Sequence, residues 1–152
     1  MGLDVPMERN IQVKPKRTVK VPILGYIRAG IPIDAITETV GDYFITEKKA
    51  KTGKFFALKV KGDSMFPYVL EDDIILFKQQ NNCENGQICA VMVNGDDATI
   101  KIVKKDETGI TLIPYNPIYP KIHYSNEEII EKPVIIAGVF EELRRDSLNG
   151  NI

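Results

Sequence analysis

Apolar residues along this chain fall in short runs separated by turn residues, not in a helical stripe. Val21-Pro22-Ile23-Leu24-Gly25-Tyr26-Ile27 reads as a strand entered at a proline, and residues 55–61 and 74–78 read as further strands, the latter buried. Residues 87–94 and 98–105 form two more, joined by Gly95-Asp96-Asp97, and a short Gly/Asp connection between apolar runs signals a hairpin. Ile110-Thr111-Leu112-Ile113 follows a Thr108-Gly109 turn, and residues 134–140 make a last strand that Glu141-Glu142-Leu143-Arg144-Arg145 either continues or ends in a short helix. Between the strands lie an irregular stretch from Arg28 to about residue 41, a loop or short helical turn at 63–71 bounded by Pro67, a polar turn at 81–86, and the proline-rich loop Tyr115-Asn116-Pro117-Ile118-Tyr119-Pro120. Residues 1–20 read as extended, because Pro6 and Pro15 break helices and no apolar period appears. Many short strands without a long amphipathic helix predict a mainly β domain, with antiparallel strands forming a sandwich or partly open barrel.

The length of 152 residues suits one core, and the near-neutral net charge of −1 argues against binding nucleic acid by the domain's own charge. One basic run stands out: Arg9, Lys14, Lys16, Arg17 and Lys20 occur without an acid among them. It reads either as a solvated linker or as an arm beside DNA, and the lack of an aromatic or helical pattern favours the linker. Cys83 and Cys89 have five residues between them, which is not a zinc spacing. With no secretory start and no stretch of membrane-spanning length, the chain reads as cytoplasmic with reduced thiols, Cys89 being a small core residue. The single histidine, His123, reads as structural or surface and leaves a Ser-His-Asp triad little to draw on.

Candidate chemistry lies elsewhere. Ser64 sits in the tight loop Gly62-Asp63-Ser64-Met65 right after an apolar run, and Lys101 follows 37 residues later between two isoleucines. A serine hydroxyl attacks an amide only when something takes its proton, and a lysine does so only when neutral. At an unperturbed pKa near 10.4, about one lysine in ~2,500 is neutral at pH 7, and burial lowers that pKa by up to about 3–5 units. In a strand, Lys101 shares a face with Thr99 and Val103, which desolvates the amine if that face points inward. Free backbone N–H groups around Ser64 and Met65 would then hold an oxyanion. On spacing alone, a plain turn serine and a solvent-facing strand lysine remain the competing reading.

Three segments together resemble the LexA and phage-repressor autoprotease family of self-cleaving serine–lysine peptidases. Val60-Lys61-Gly62-Asp63-Ser64-Met65 with Leu70-Glu71-Asp72-Asp73 resembles its nucleophile segment and the acidic turn after it. Glu84-Asn85-Gly86-Gln87-Ile88 with Ala98-Thr99-Ile100-Lys101 resembles its general-base segment, and Val21-Pro22-Ile23-Leu24-Gly25 leading to Ala29-Gly30 resembles its cleavage-site strand. Leu112-Ile113-Pro114-Tyr115-Asn116-Pro117 looks like its later strand and loop. The resemblance implies the fold of a LexA-like C-terminal domain, Ser64 as nucleophile, Lys101 as general base and Ala29-Gly30 as the scissile bond. It implies a homodimer, activation by the RecA–single-stranded-DNA filament, operator DNA reached through an N-terminal helix-turn-helix domain absent here, and no metal or organic cofactor. Residues 1–20 would be the link after that domain, 21–145 the autoprotease and dimerisation domain, and 146–152 a tail. Two neighbouring resemblances imply other outcomes. UmuD, a self-trimmed polymerase subunit, also has a short N-terminal arm, and some relatives keep the fold for dimerisation alone. Ser64-Met65-Phe66-Pro67 also resembles the Ser-Met-x-Pro element of type I signal peptidases, which need a membrane anchor.

Overall fold

The computed structural model describes residues 17–146. Arg9, Lys14, Lys16 and most of the expected linker and tail lie outside them. Nine strands run in chain order: β1 Thr18–Leu24, β2 Thr39–Thr46, β3 Phe55–Lys59, β4 Ile74–Gln79, β5 Ile88–Val93, β6 Thr99–Asp106, β7 Gly109–Ile113, β8 Ile122–Ser125 and β9 Val134–Arg144. They form one sheet in the order β2-β1-β3-β4-β9-β5-β6-β7-β8. Every pair is antiparallel except β1 with β3, where Ile23 faces Ala57 in parallel register. The sheet is therefore mixed and open, with β2 and β8 at its edges, in keeping with the mainly β architecture the sequence predicts.

Alternate residues of the central strands feed different cores. Phe56 and Leu58 of β3, Ile75 and Phe77 of β4, and Ala90 and Met92 of β5 join a central cluster with Leu24, Ile27 and Met65. Ala57, Ile74 and Leu76 point the other way, into a second cluster with Tyr43 and Ile45. Cys89 and Val91 likewise enter a third with Val103, Leu112 and Val139. Strands covered on both faces need continuous apolar runs, which is why β4 reads Ile-Ile-Leu-Phe. β9 bridges the two halves, pairing β5 through residues 134–139 and β4 through residues 138–144. Both ladders meet at Gly138, where a Cβ would come within 2.8 Å of the Phe56 ring and 2.9 Å of the Lys78 carbonyl oxygen. The crossing needs a residue without a side chain there.

Several elements differ from the sequence reading. The first strand starts at Thr18 and ends at Leu24, so the extended arm enters the sheet three residues earlier than expected. The stretch read as irregular gives way at Thr39 to β2, which runs on to Thr46; exposed Val40 and Phe44 lie on one face and buried Tyr43 and Ile45 on the other, so both faces carry apolar residues and no alternation shows. β8 and the short helix after it were also missed. That helix, Asn126–Glu131, carries a Ser125/Glu128 capping box that the sequence does spell out. A one-turn helix, Glu47–Ala50, follows β2. The hairpin between β5 and β6 turns one residue earlier than expected. Asn94 and Gly95 hold φ of 53° and 81°, and Asp96 N donates to Val93 O at 3.0 Å, the signature of a type I′ turn. Residues 141–144 continue the last strand instead of forming a helix.

Candidate active site

Ser64 stands in the connection between β3 and β4, and that connection is anchored at both ends. Val60 and Asp73 pair through Val60 N to Asp73 O at 2.8 Å, and Asp72 N returns to Val60 O at 2.9 Å. Within it, Phe66 N donates to Asp63 O and Val69 N to Met65 O, while Met65 and Val69 bury their side chains in the central cluster. Asp73, only 2% exposed, accepts from Leu70 N at 2.7 Å and from Arg145 Nε and Nη2 at 2.7 Å each. Burial pulls its carboxyl up, but the Arg145 hydrogen bonds and the Leu70 N–H outweigh burial and hold it below its ordinary value.

A second loop clamps the serine from across the sheet. Asn116, between β7 and β8 and only 7% exposed, donates through Nδ2 to Asp63 O at 3.0 Å, and its backbone N donates to Ser64 O at 3.0 Å. Its Oδ1 accepts from Ile118 N at 3.2 Å, and Tyr119 OH donates to Asp63 Oδ1 at 2.5 Å. In the sequence, Asn116 stands in a proline-rich loop with no sign of a part in the site. A lone Asn between a tyrosine and a proline reads as an ordinary turn residue, and only the fold shows that it faces residues some fifty positions earlier.

Lys101 lies on β6, separated from β3 by three intervening strands in the sheet's order, yet its Nζ is 3.0 Å from Ser64 Oγ. The same Nζ is 2.6 Å from Thr99 Oγ1 and 3.2 Å from Ile100 O. Contact with Thr99 follows from strand parity, as expected, with Ile100 and Ile102 packed on the central cluster from the other side. Burial lowers the Lys101 pKa from the ordinary lysine value, and no carboxylate pairs with it among the described residues. The three neighbours suit a neutral amine. Its two N–H groups satisfy Thr99 Oγ1 and Ile100 O, and its lone pair is left to accept the Ser64 hydroxyl proton. When the amine is charged, the Ser64 contact reverses and Nζ donates to Oγ.

A cavity of about 130 Å³ opens beside Ser64, lined among others by Tyr26, Ile27, Leu58, Met65, Thr99 and Ile100. Among the described residues, neither Ser64 N nor Met65 N donates to a protein acceptor. The segment after β1 reaches this cavity at Tyr26 and Ile27, whereas Ala29 and Gly30 do not line it. They form the centre of a turn closed by Ile31 N to Arg28 O at 3.3 Å, with Gly30 at φ +87°. Ala29 is half-buried against the central cluster, and Arg28 Nε donates to Asp97 Oδ1 at 3.1 Å, next to the start of β6. So Ser64 and Lys101 are brought together, and Ala29-Gly30 is held close along the chain but outside the cavity. His123, exposed on β8, shares hydrogen bonds with Thr111 at 2.9 Å and Thr108 at 3.2 Å and none with Ser64 or Lys101.

Comparison with known proteins fits this geometry. The family model described as Peptidase S24-like matches residues 22–140, which holds every element of the site. The chain belongs to the Peptidase S24-like family. Similar proteins include the LexA repressor of Bacillus velezensis, 33% identical over 142 residues, which cover 91% of this chain and 67% of that protein. The LexA repressor of Bifidobacterium adolescentis is 38% identical over 117 residues, covering 76% of this chain and 45% of its own length. That of Bacillus subtilis is 34% identical over 137 residues, covering 88% and 65%. The chain thus spans roughly half to two thirds of these relatives. As a Peptidase S24-like domain it is LexA-like and of a peptidase kind. No helix of the described residues is long and apolar enough to cross a membrane.

Proposed function

We propose that this Peptidase S24-like domain cleaves its own chain between Ala29 and Gly30. Neutral Lys101 takes the Ser64 hydroxyl proton, and Ser64 Oγ attacks the Ala29 carbonyl carbon. The backbone N–H groups of Ser64 and Met65 receive the oxyanion. The C–N bond then breaks, Lys101 returns the proton to the Gly30 nitrogen, and water hydrolyses the acyl ester on Ser64 to release the Ala29 carboxylate. What carries this reading is the 3.0 Å approach of Lys101 Nζ to Ser64 Oγ around an amine that burial disposes to be neutral. Because bond and nucleophile share one chain, effective concentration replaces substrate affinity. Control then rests on presentation of the 28–31 turn to the cavity, an equilibrium between two conformations.

The names of its relatives extend the reading to transcription: residues 21–145 serve as the autoprotease and dimerisation unit of a LexA-like repressor in the cytoplasm. Operator DNA is bound through a helix-turn-helix unit outside the described residues, a homodimer matches a two-fold operator, and the RecA–single-stranded-DNA filament stimulates cleavage to relieve repression. Mild alkaline incubation followed by intact mass tests the chemistry. Fragments ending at Ala29 and starting at Gly30 are expected, and Ser64→Ala and Lys101→Ala each abolish them. Cleavage elsewhere, or undiminished cleavage in Ser64→Ala, overturns the assignment.

A further inference from the structure

The loop that clamps Ser64 is stiff, and it grips at more than one point. Pro117 and Pro120 restrict residues 114–120, since a proline fixes its own φ and narrows the choices of the residue before it. Tyr119, just before Pro120, is placed by that backbone, and its N donates back to Asn116 O at 3.2 Å. Four hydrogen bonds join this loop to residues 63–65. Asn116 donates to the carbonyls of Asp63 and Ser64, which belong to the two peptide planes flanking Ser64. Tyr115 N donates to Met65 Sδ at 3.3 Å. The fourth, Tyr119 OH to Asp63 Oδ1 at 2.5 Å, is the one that joins side chain to side chain among the described residues.

We propose that Tyr119 is a positioning residue for Ser64, acting through the Asp63 carboxylate; this rests on the reading of Ser64 as nucleophile. Asp63 directly precedes Ser64, so whatever fixes Asp63 fixes where the serine begins. Asn116 holds main-chain oxygens there, and a carbonyl held at its oxygen alone still lets its peptide plane rock. A bond to the Asp63 side chain adds a second point off that plane. Its donor is a neutral phenol and its acceptor a carboxylate, and a charge-assisted bond of this kind is roughly twice as strong as a neutral one. The hydrogen bond, and then the carboxylate's charge, raise the Tyr119 phenol above its ordinary value, so it stays a donor.

The Asp63 carboxylate depends on this bond. Among the described residues no other hydrogen bond and no ion pair engages it. Tyr119 is 41% exposed, so loss of its hydroxyl takes little from the core. The cost falls instead on the serine, whose Oγ has to stay 3.0 Å from Lys101 Nζ for the proton to pass. A drift of about 1 Å is enough to slow such a step strongly.

The test follows two rates in the whole chain, self-cleavage by intact mass and covalent labelling of Ser64 by a fluorophosphonate, alongside thermal melting. Tyr119→Phe removes only the hydroxyl; it should melt like the parent and lose about tenfold in both rates. Asp63→Ala should lose as much, and the double variant no more than either single one, because the same bond is broken in all three. Asp63→Asn keeps an oxygen to accept from the phenol, so it should recover most of what Asp63→Ala loses, but only while Tyr119 is present. A Tyr119→Phe chain that labels at the parent rate, losses that multiply in the double variant, or an Asp63→Asn chain as slow as Asp63→Ala would each overturn the proposal. A parent that takes the label but leaves Ala29-Gly30 whole defeats the cleavage reading alone, and the labelling rates then decide the role of Tyr119. A parent that does neither defeats both.

Discussion

The sharpest consequence of the Lys101 environment is a paired dependence on pH, in rate and in stability. Below the folded-state pKa of Lys101, the neutral fraction of the amine rises tenfold per pH unit. Self-cleavage should therefore climb with a slope of one on a logarithmic scale, about tenfold per unit, equivalent to ~1.36 kcal/mol of barrier for each unit. The rate should level off before the ordinary lysine value of 10.5, because burial lowers the folded-state pKa. Stability moves the same way. The unfolded chain holds the Lys101 proton more tightly than the folded one. The desolvation penalty is thus complete below the folded pKa and fades as pH rises from there to the unfolded value. Lys101→Met removes the charge, so it should abolish cleavage, raise the melting temperature near neutral pH and flatten that part of the stability profile. Cleavage is followed by intact mass from pH 6 to 11 and stability by thermal melting of Ser64→Ala, which keeps the chain whole. A flat rate profile, an inflection at or above 10.5, or a Lys101→Met chain that melts lower at neutral pH would refute the reasoning.

Other parts of the site carry their own expectations. Asn116→Ala removes two side-chain hydrogen bonds at a buried position, to Asp63 O and from Ile118 N, so it should cost about 2 kcal/mol of stability by chemical denaturation. It should also slow cleavage about tenfold by loosening Ser64; a destabilised chain that cleaves at the parent rate would show that Asn116 does not position the serine. Asp73→Ala strands the Leu70 N–H and the Arg145 guanidinium and should cost about 2–3 kcal/mol. Because the Asp73 carboxyl is held below its ordinary value, its contribution is present above the unfolded pKa and is lost as pH falls through the folded one. The parent should therefore lose stability in acid more steeply than Asp73→Ala, and parallel acid profiles would contradict this.

Much was legible in the residue pattern because it depends on nearest neighbours. Runs such as Ile74-Ile75-Leu76-Phe77 can be stable only as covered strands, and strand parity put Lys101 with Thr99 and the isoleucines opposite. The same locality explains what was missed. In β2 apolar residues sit on both parities, and in the edge strand β8 Ile122 and His123 face solvent, so neither strand leaves an alternating trace. Family resemblance named Ser64 and Lys101, but it could not say that their atoms meet. Strand pairing decides that. β9 pairs with β4 and with β5 on either side of Gly138, which joins the half of the sheet that carries the loop after β3 to the half that carries β6. Asn116 enters the site for the same reason, fifty-two residues after the serine it holds. The sequence by itself determined which side chains could do the chemistry and which strands would carry them. Only the tertiary structure decided that a buried amine and a loop hydroxyl share a proton's distance, because sheet order and register are set by contacts between residues far apart in the chain.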